Sequence, residues 1–187
     1  MATRIYLPSS GNAAVTPAAW LHTPATNNYT YAGVTSKSNS SFANLDNAKG
    51  TVSGAARGVV RYVWGPLAGQ NIAGNVAALI RALEGNAKAN STVSLGVHLI
   101  QANGANRSTL LAVSYSDLAS APYEISAVSI QSRYAYNAAE AQPMALTTRA
   151  ATEGDYLVVE LGFGSLSNNN YVVTLNVGDN DANDFTA

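Results

Sequence analysis

Three segments of the chain place an apolar side chain at every second position: Val93, Leu95, Val97 and Leu99; Leu157, Val159, Leu161 and Phe163; and Tyr171, Val173, Leu175 and Val177. In extended backbone, successive side chains point to opposite faces, so each run describes a half-buried strand. The same reading extends over much of the chain. Strands are expected at 57–64, 92–101, 110–115, 123–132, 144–148, 156–162 and 171–178, with shorter ones at 4–7 and 30–35. Turn signals separate them, among them Asn103-Gly104, Glu153-Gly154-Asp155 and the Ser167 to Asn170 run. Many short strands punctuated by turns mark an all-β, jelly-roll-like antiparallel β-sandwich. No internal repeat and no linker divides the chain, so residues 1–187 form one domain. Residues 15–54 are an extended, irregular N-terminal region rich in Asn, Ser, Thr and Ala, and residues 179–187 are an acidic tail.

One segment carries two patterns. Val76, Leu79, Ile80 and Leu83 follow helical spacing, with Asn75 placed to cap and Gly85 to terminate. Val76, Ala78, Ile80 and Ala82 alternate. Set among strands, the segment is assigned to the sheet, because tertiary context overrides local propensity.

Composition narrows the function. At this length about 70% of the unfolded chain's surface is buried on folding, enough for a core without covalent staples. There is no cysteine, hence neither a disulfide nor a thiolate zinc site, which suits folding in a reducing cytoplasm. Ten basic and eleven acidic residues give a net charge of -1, and the basic residues stand singly from Arg4 to Arg149. Counterion release on nucleic acid requires clustered cations, so no nucleic-acid partner is expected. No apolar run is long enough to span a membrane, and the N-terminus lacks the apolar region of a signal peptide. Only 11% of residues are charged, with Asn, Ser, Thr, Ala and Gly in their place. Low charge weakens the repulsion that keeps molecules apart, as suits a subunit packed against others.

Residues that could carry chemistry are few. Alternation sets His98 on the face opposite Val97 and Leu99, as an outward polar residue, and His22 in a Pro-bounded loop. Glu153, Asp155 and Glu160 surround one hairpin. Paired carboxylates can hydrolyse glycosides, but here the pattern reads as a turn followed by a solvated, outward Glu160. Arg61, on the Val59 and Val63 face, is expected near an edge or the rim of the core. The tail Asp179 to Asp184 alternates side-chain oxygens like the start of a calcium loop. It has Asp184 where that loop needs glycine and ends before the closing glutamate, so neither metal nor cofactor is assigned. Trp20, Trp64, Tyr134 and Tyr136 are the candidate contact residues. Exposed, they would stack on a glycan or a protein partner; buried, they would be core.

Three stretches carry a resemblance: Arg4-Ile5-Tyr6-Leu7-Pro8-Ser9-Ser10-Gly11; Ile80-Arg81 through Glu84-Gly85-Asn86-Ala87-Lys88-Ala89-Asn90; and Gly154-Asp155-Tyr156-Leu157-Val158-Val159-Glu160-Leu161-Gly162. In them the chain resembles small virion-associated proteins of tailed bacteriophages. The resemblance implies a strand for the central Ile-Arg segment. It also implies a non-enzymatic structural subunit of the virion, made in the host cytoplasm: a capsid decoration or cement protein that bridges neighbouring capsid proteins, or a tail or fibre component. The partners would be phage capsid or tail proteins and further copies of the chain. The alternative is a carbohydrate-binding module of a tail fibre that recognises host glycans. Similar proteins often continue into an acidic, Pro-containing tail, so this chain is expected to be a shorter variant or an incomplete sequence.

Overall fold

The computed structural model describes residues 4–37, 41–48, 56–86, 88–115, 125, 131–135, 144–165 and 171–178. Every regular element among them is a strand: β1 Thr23–Ala32, β2 Ala43–Ala48, β3 Arg57–Trp64, β4 Gln70–Val76, β5 Ala78–Glu84, β6 Ser91–Ile100, β7 Asn106–Tyr115, β8 Gln131–Ala135, β9 Met144–Ala151, β10 Tyr156–Ser165 and β11 Val172–Val177. They assemble into a five-stranded sheet in the order β1-β3-β10-β6-β7, a four-stranded sheet in the order β2-β11-β5-β8, and a ribbon of β4 with β9. The protein is thus all-β and built mainly of antiparallel pairs. The departure is β1, which runs parallel to β3 at the edge of the larger sheet.

Alternation decides how the two larger sheets meet. In antiparallel pairs, residues directly opposite one another share a face. One face of the five-stranded sheet therefore carries Val60, Leu161 and Leu95 in one row, and Tyr62, Val159 and Val97 in the next. These join Leu45, Ile80, Ala82, Val173, Leu175 and Val177 of the four-stranded sheet in one apolar cluster. The alternating runs of the sequence are the inward faces of β6, β10 and β11, as expected. The 75–85 segment is also extended, but it contributes to two strands. β4 ends at Val76 and pairs with β9, while β5 begins at Ala78 and pairs with β11 and β8.

The second face of the five-stranded sheet departs from expectation, since it is not left to solvent. Its rows are Val63, Val158 and His98; Arg61, Glu160 and Gly96; and Gly58, Gly162 and Ser94. Residues 11–22 cross it as a strap. Ala13 and Val15 pack on Val63, Ile100 and Val158, and the Ala18 amide donates to the Gly104 carbonyl at 2.9 Å. Trp20, Leu21 and His22 then lie over the glycines and lead directly into β1. As a result every residue of β6 is buried. The described part of the N-terminal region is thus folded onto its own domain. Residues 4–7 contribute one bridge, Tyr6 with Val34, where a short strand is expected, and β1 begins seven residues earlier than the 30–35 strand.

The strap comes close because Gly58 and Gly96 have no side chain. A Cβ on Gly58 would stand 2.7 Å from the His22 Cβ and 2.8 Å from the Trp20 ring, and one on Gly96 would stand 3.2 Å from the tip of Leu21. Gly58→Ala should therefore destabilise the protein by about 1–3 kcal/mol, and Gly96→Ala by less because a flexible leucine end can move. Urea denaturation of the two variants beside the wild type checks that ranking.

Candidate functional site

The strap is fastened by polar chemistry concentrated on one carboxylate. Glu160 sits at the centre of the strap-bearing face, between Arg61 on β3 and Gly96 on β6. The Leu21 amide donates to both of its oxygens, at 2.9 and 3.0 Å, and the His22 amide donates to Oε2 at 3.0 Å. The His22 imidazole adds a bond from Nδ1 to Oε2 at 2.9 Å, while its Nε2 meets the Ser94 hydroxyl at 2.9 Å. These contacts fix the tautomer: Nδ1 carries the proton and donates, and Nε2 accepts from Ser94. His98 approaches from β6, with Nε2 3.3 Å from Oε1, an electrostatic contact too poorly aligned to be a hydrogen bond.

All of these groups are inside. Glu160 is 0% exposed, His98 1% and His22 4%, and Ser94 is fully buried. Burial by itself raises a carboxyl's pKa, because it disfavours the charge. Hydrogen bonding from His22, the neighbouring His98 and the Leu21 and His22 amides outweighs it, and Glu160 is held at about 2. Burial lowers the pKa of the nearby Arg61 guanidinium, and attraction to Glu160 opposes that shift. Arg61 is directed away from the carboxylate by bonds from Nε to Thr30 Oγ1 at 2.8 Å and from Nη1 to the Ala19 carbonyl at 3.2 Å. It also lies 4.5 Å above the Trp20 ring centroid, a cation–π contact that holds the strap from a second side.

The sequence Ser94, His22, Glu160, with 2.9 Å at both links, reproduces the spacing of a nucleophile, its base and an orienting acid. A working nucleophile must also meet a substrate, whereas the Ser94 hydroxyl is enclosed between strap and sheet. In the folded protein this arrangement fastens the strap to the sheet. A cation fares no better there. Both carboxylate oxygens already receive N–H donors. Among the described residues no group of three or more His, Cys, Asp or Glu is arranged around a metal position.

Several sequence expectations are corrected by this geometry. His98 and Glu160 do alternate away from the main core, but the face they reach is covered, so neither is a solvated surface group. His22 is an interior residue, and Arg61 is buried under the strap where a rim position is expected. Asp155 is also buried: its carboxylate accepts the Thr152 amide at 2.7 Å and pairs with Arg107 at 2.6 Å, closing the turn that leads into β10. Glu153 alone of that hairpin's acids remains exposed. The signal for the covered face was present in Gly58 and Gly96, two glycines on that face of neighbouring rows.

The four aromatic candidates do not form one surface. Trp20 is half-buried on the strap side of the larger sheet, whereas Trp64, also half-buried, packs toward the main core from the opposite face. Tyr134 lies on β8 of the other sheet, its backbone opposite Leu79, with its side chain outside the described residues. Tyr136 and the 179–187 tail, including its candidate calcium ligands, also lie outside them. No protein-family model matches the chain, and no curated protein matches it.

Glu160→Gln removes the negative charge that three N–H groups converge on and should destabilise the protein by about 2–4 kcal/mol at neutral pH. Because the folded carboxyl lies at about 2 against an ordinary 4.5, its contribution is complete above that ordinary value and is lost as pH falls toward 2. Urea titrations across this acid range should show a shallower loss of stability in the variant than in the wild type.

Proposed function

We propose that the chain is a non-enzymatic structural subunit of a tailed-phage particle, a decoration or cement protein that joins neighbouring capsid proteins and works in many copies. The observation that carries this reading is the winding of the sheets. With β1 and the β4–β9 ribbon set aside and the remaining strands renumbered in chain order, the sheets run 1-8-3-6 and 2-7-4-5. That alternation supports a jelly roll, a fold used for viral capsid and lectin domains. The interior placement of His22, His98, Ser94 and Glu160 favours a role in which surface and shape do the work.

The strap is engaged on its own domain, so bridging falls to other surfaces. The β4–β9 ribbon is the best placed. Ile72, Val76, Met144 and Leu146 pack toward the core, while Gln70, Asn71, Asn75, Thr147 and Thr148 are exposed. Such a neutral face can lie against a neighbour with little charge to desolvate. Repetition over a symmetric shell makes individually weak contacts effective. The glycan-binding alternative needs a continuous aromatic platform, and the separation of Trp20 from Trp64 by the thickness of a sheet argues against it.

Quantitative mass spectrometry and immunogold labelling of virus particles purified from the source material test the proposal. Many copies distributed over the head are expected. A few copies at a tail tip would favour the glycan-binding reading, and absence from the particle would reject a virion role.

A further inference from the structure

We propose that β4 pairs with the β4 of a second copy of this chain, antiparallel across a two-fold axis at Ala73, so that two ribbons join into one continuous sheet. This names the partner for the ribbon and rests on its reading above as the contact surface.

β4 is the outer strand of the ribbon. It pairs with β9, and among the described residues its far edge meets no other strand. An edge strand leaves a row of N–H and C=O groups open to another chain, and natural sheets blunt such edges with charge, proline, bulges or a covering segment. The other described edges carry these devices. β1 holds Pro24, and Gly11 and Asn12 lie along its later half. β2 holds Asp46 and β8 holds Arg133. β7 holds Arg107, and register shifts interrupt its pairing with β6 at three places. β4 has neither charge nor proline over its seven residues, and five of them are exposed. Its register with β9 is also irregular, but the extra residue falls on β9, which runs from Arg149 to Leu146 while β4 runs from Ile72 to Gly74.

The shape and chemistry of this edge match the edge itself. In an antiparallel pair centred on Ala73, Asn71 lies opposite Asn75 of the second copy and Ile72 opposite its Gly74, and each contact occurs twice. A carboxamide both donates and accepts, so Asn71 and Asn75 can bond each other in either direction. At the axis Ala73 meets its own copy with a methyl group on each side. Gly74 provides the socket. It sits at φ +105°, where a side chain would be strained, and nothing lies within 4 Å of the position a Cβ would take. Ile72 of the second copy enters that space. In the single chain Ile72 is half-buried at the margin of the main core, so pairing covers apolar surface otherwise left in water. A two-fold axis also sets charge against like charge, and β4 brings none to it.

Cysteine trapping and sedimentation test the pairing. The chain has no cysteine, so Ala73→Cys supplies a single thiol at the axis. Cα atoms directly opposite in an antiparallel pair are about 4.5–5.5 Å apart, within reach of a disulfide. Under a mild oxidant this variant should form a covalent dimer. Ala150→Cys, opposite Asn71 on β9, should not, because the β4 pair holds the two β9 strands about 14 Å apart. Sedimentation equilibrium of the wild type from micromolar to millimolar concentration should show a reversible dimer. Ala73→Lys, at a position exposed in the single chain, should weaken that dimer about ten-fold or more without moving the urea midpoint. A wild type that stays monomeric throughout would overturn the proposal. So would equal cross-linking of the two cysteine variants, or a folded Ala73→Lys variant that dimerises like the wild type. Should Ala73→Lys not fold, the cysteine pair and the wild type decide. Failure here is separable from failure of the virion role: a monomer found on particle heads keeps that role and loses this pairing, and a dimer absent from particles does the reverse.

Discussion

A buried carboxylate is expensive to keep inside a protein, and Glu160 is kept there by contacts supplied from two directions. The amides of Leu21 and His22 and the His22 ring come from the strap, and His98 comes from the sheet. Each side needs the other. Without the strap the carboxylate would lie on an exposed sheet face, where a polar residue is unremarkable. Without the carboxylate the strap's amides would be enclosed with no acceptor, a penalty comparable to a lost hydrogen bond for each. The route of residues 11–22 and the burial of the second sheet face both follow from this one anchoring point.

The anchor works because of what surrounds it. Gly58 and Gly96 remove side chains where Trp20, Leu21 and His22 of a second layer must come within contact distance. Ser94 satisfies the far nitrogen of His22, so the ring is held at both ends. Arg61 is bound to Thr30 and to the Ala19 carbonyl, which ties β1, β3 and the strap together at the position where β1 joins the sheet in parallel. The larger sheet thereby becomes the middle layer of three, with an apolar core beneath and a thinner, partly polar layer above.

How much of this was legible in the sequence depends on the range of the signal. Alternation is local, and it placed β6, β10 and β11 and told their faces apart, because the side-chain period of a strand is fixed by geometry. The Asn75 to Asn86 segment carried helical spacing as well as alternation, and only its all-strand context assigned it to the sheet; its division between β4 and β5 was not legible, since Ala77 carries no turn signature. What alternation leaves open is whether the non-core face meets water. That is settled by residues more than 130 positions away in the chain: Leu21 and His22 reach Glu160 across sequence separations of 139 and 138. The strap's sequence has too few large apolar residues to announce a buried segment, because it is held by its backbone more than by its side chains. For the same reason His22, His98 and Glu160 looked like isolated surface groups when each was read from its neighbours.

The distribution of charge connects this interior to the exterior. The chain has few ionisable residues to begin with, and the fold encloses Arg61, Glu84, Asp155, Glu160 and both histidines. Each group taken inside to fasten a turn or the strap is one fewer on the surface, so the exposed face is more neutral than the composition alone implies. On the β4–β9 ribbon this leaves amide, hydroxyl and methyl groups with Arg149 as the one described charge. Groups of that kind form hydrogen bonds across an interface without first stripping water from ions. Spending charge internally to hold the N-terminal layer thus prepares the outside for contact with like surfaces, the property that the proposed place in a repeating assembly requires.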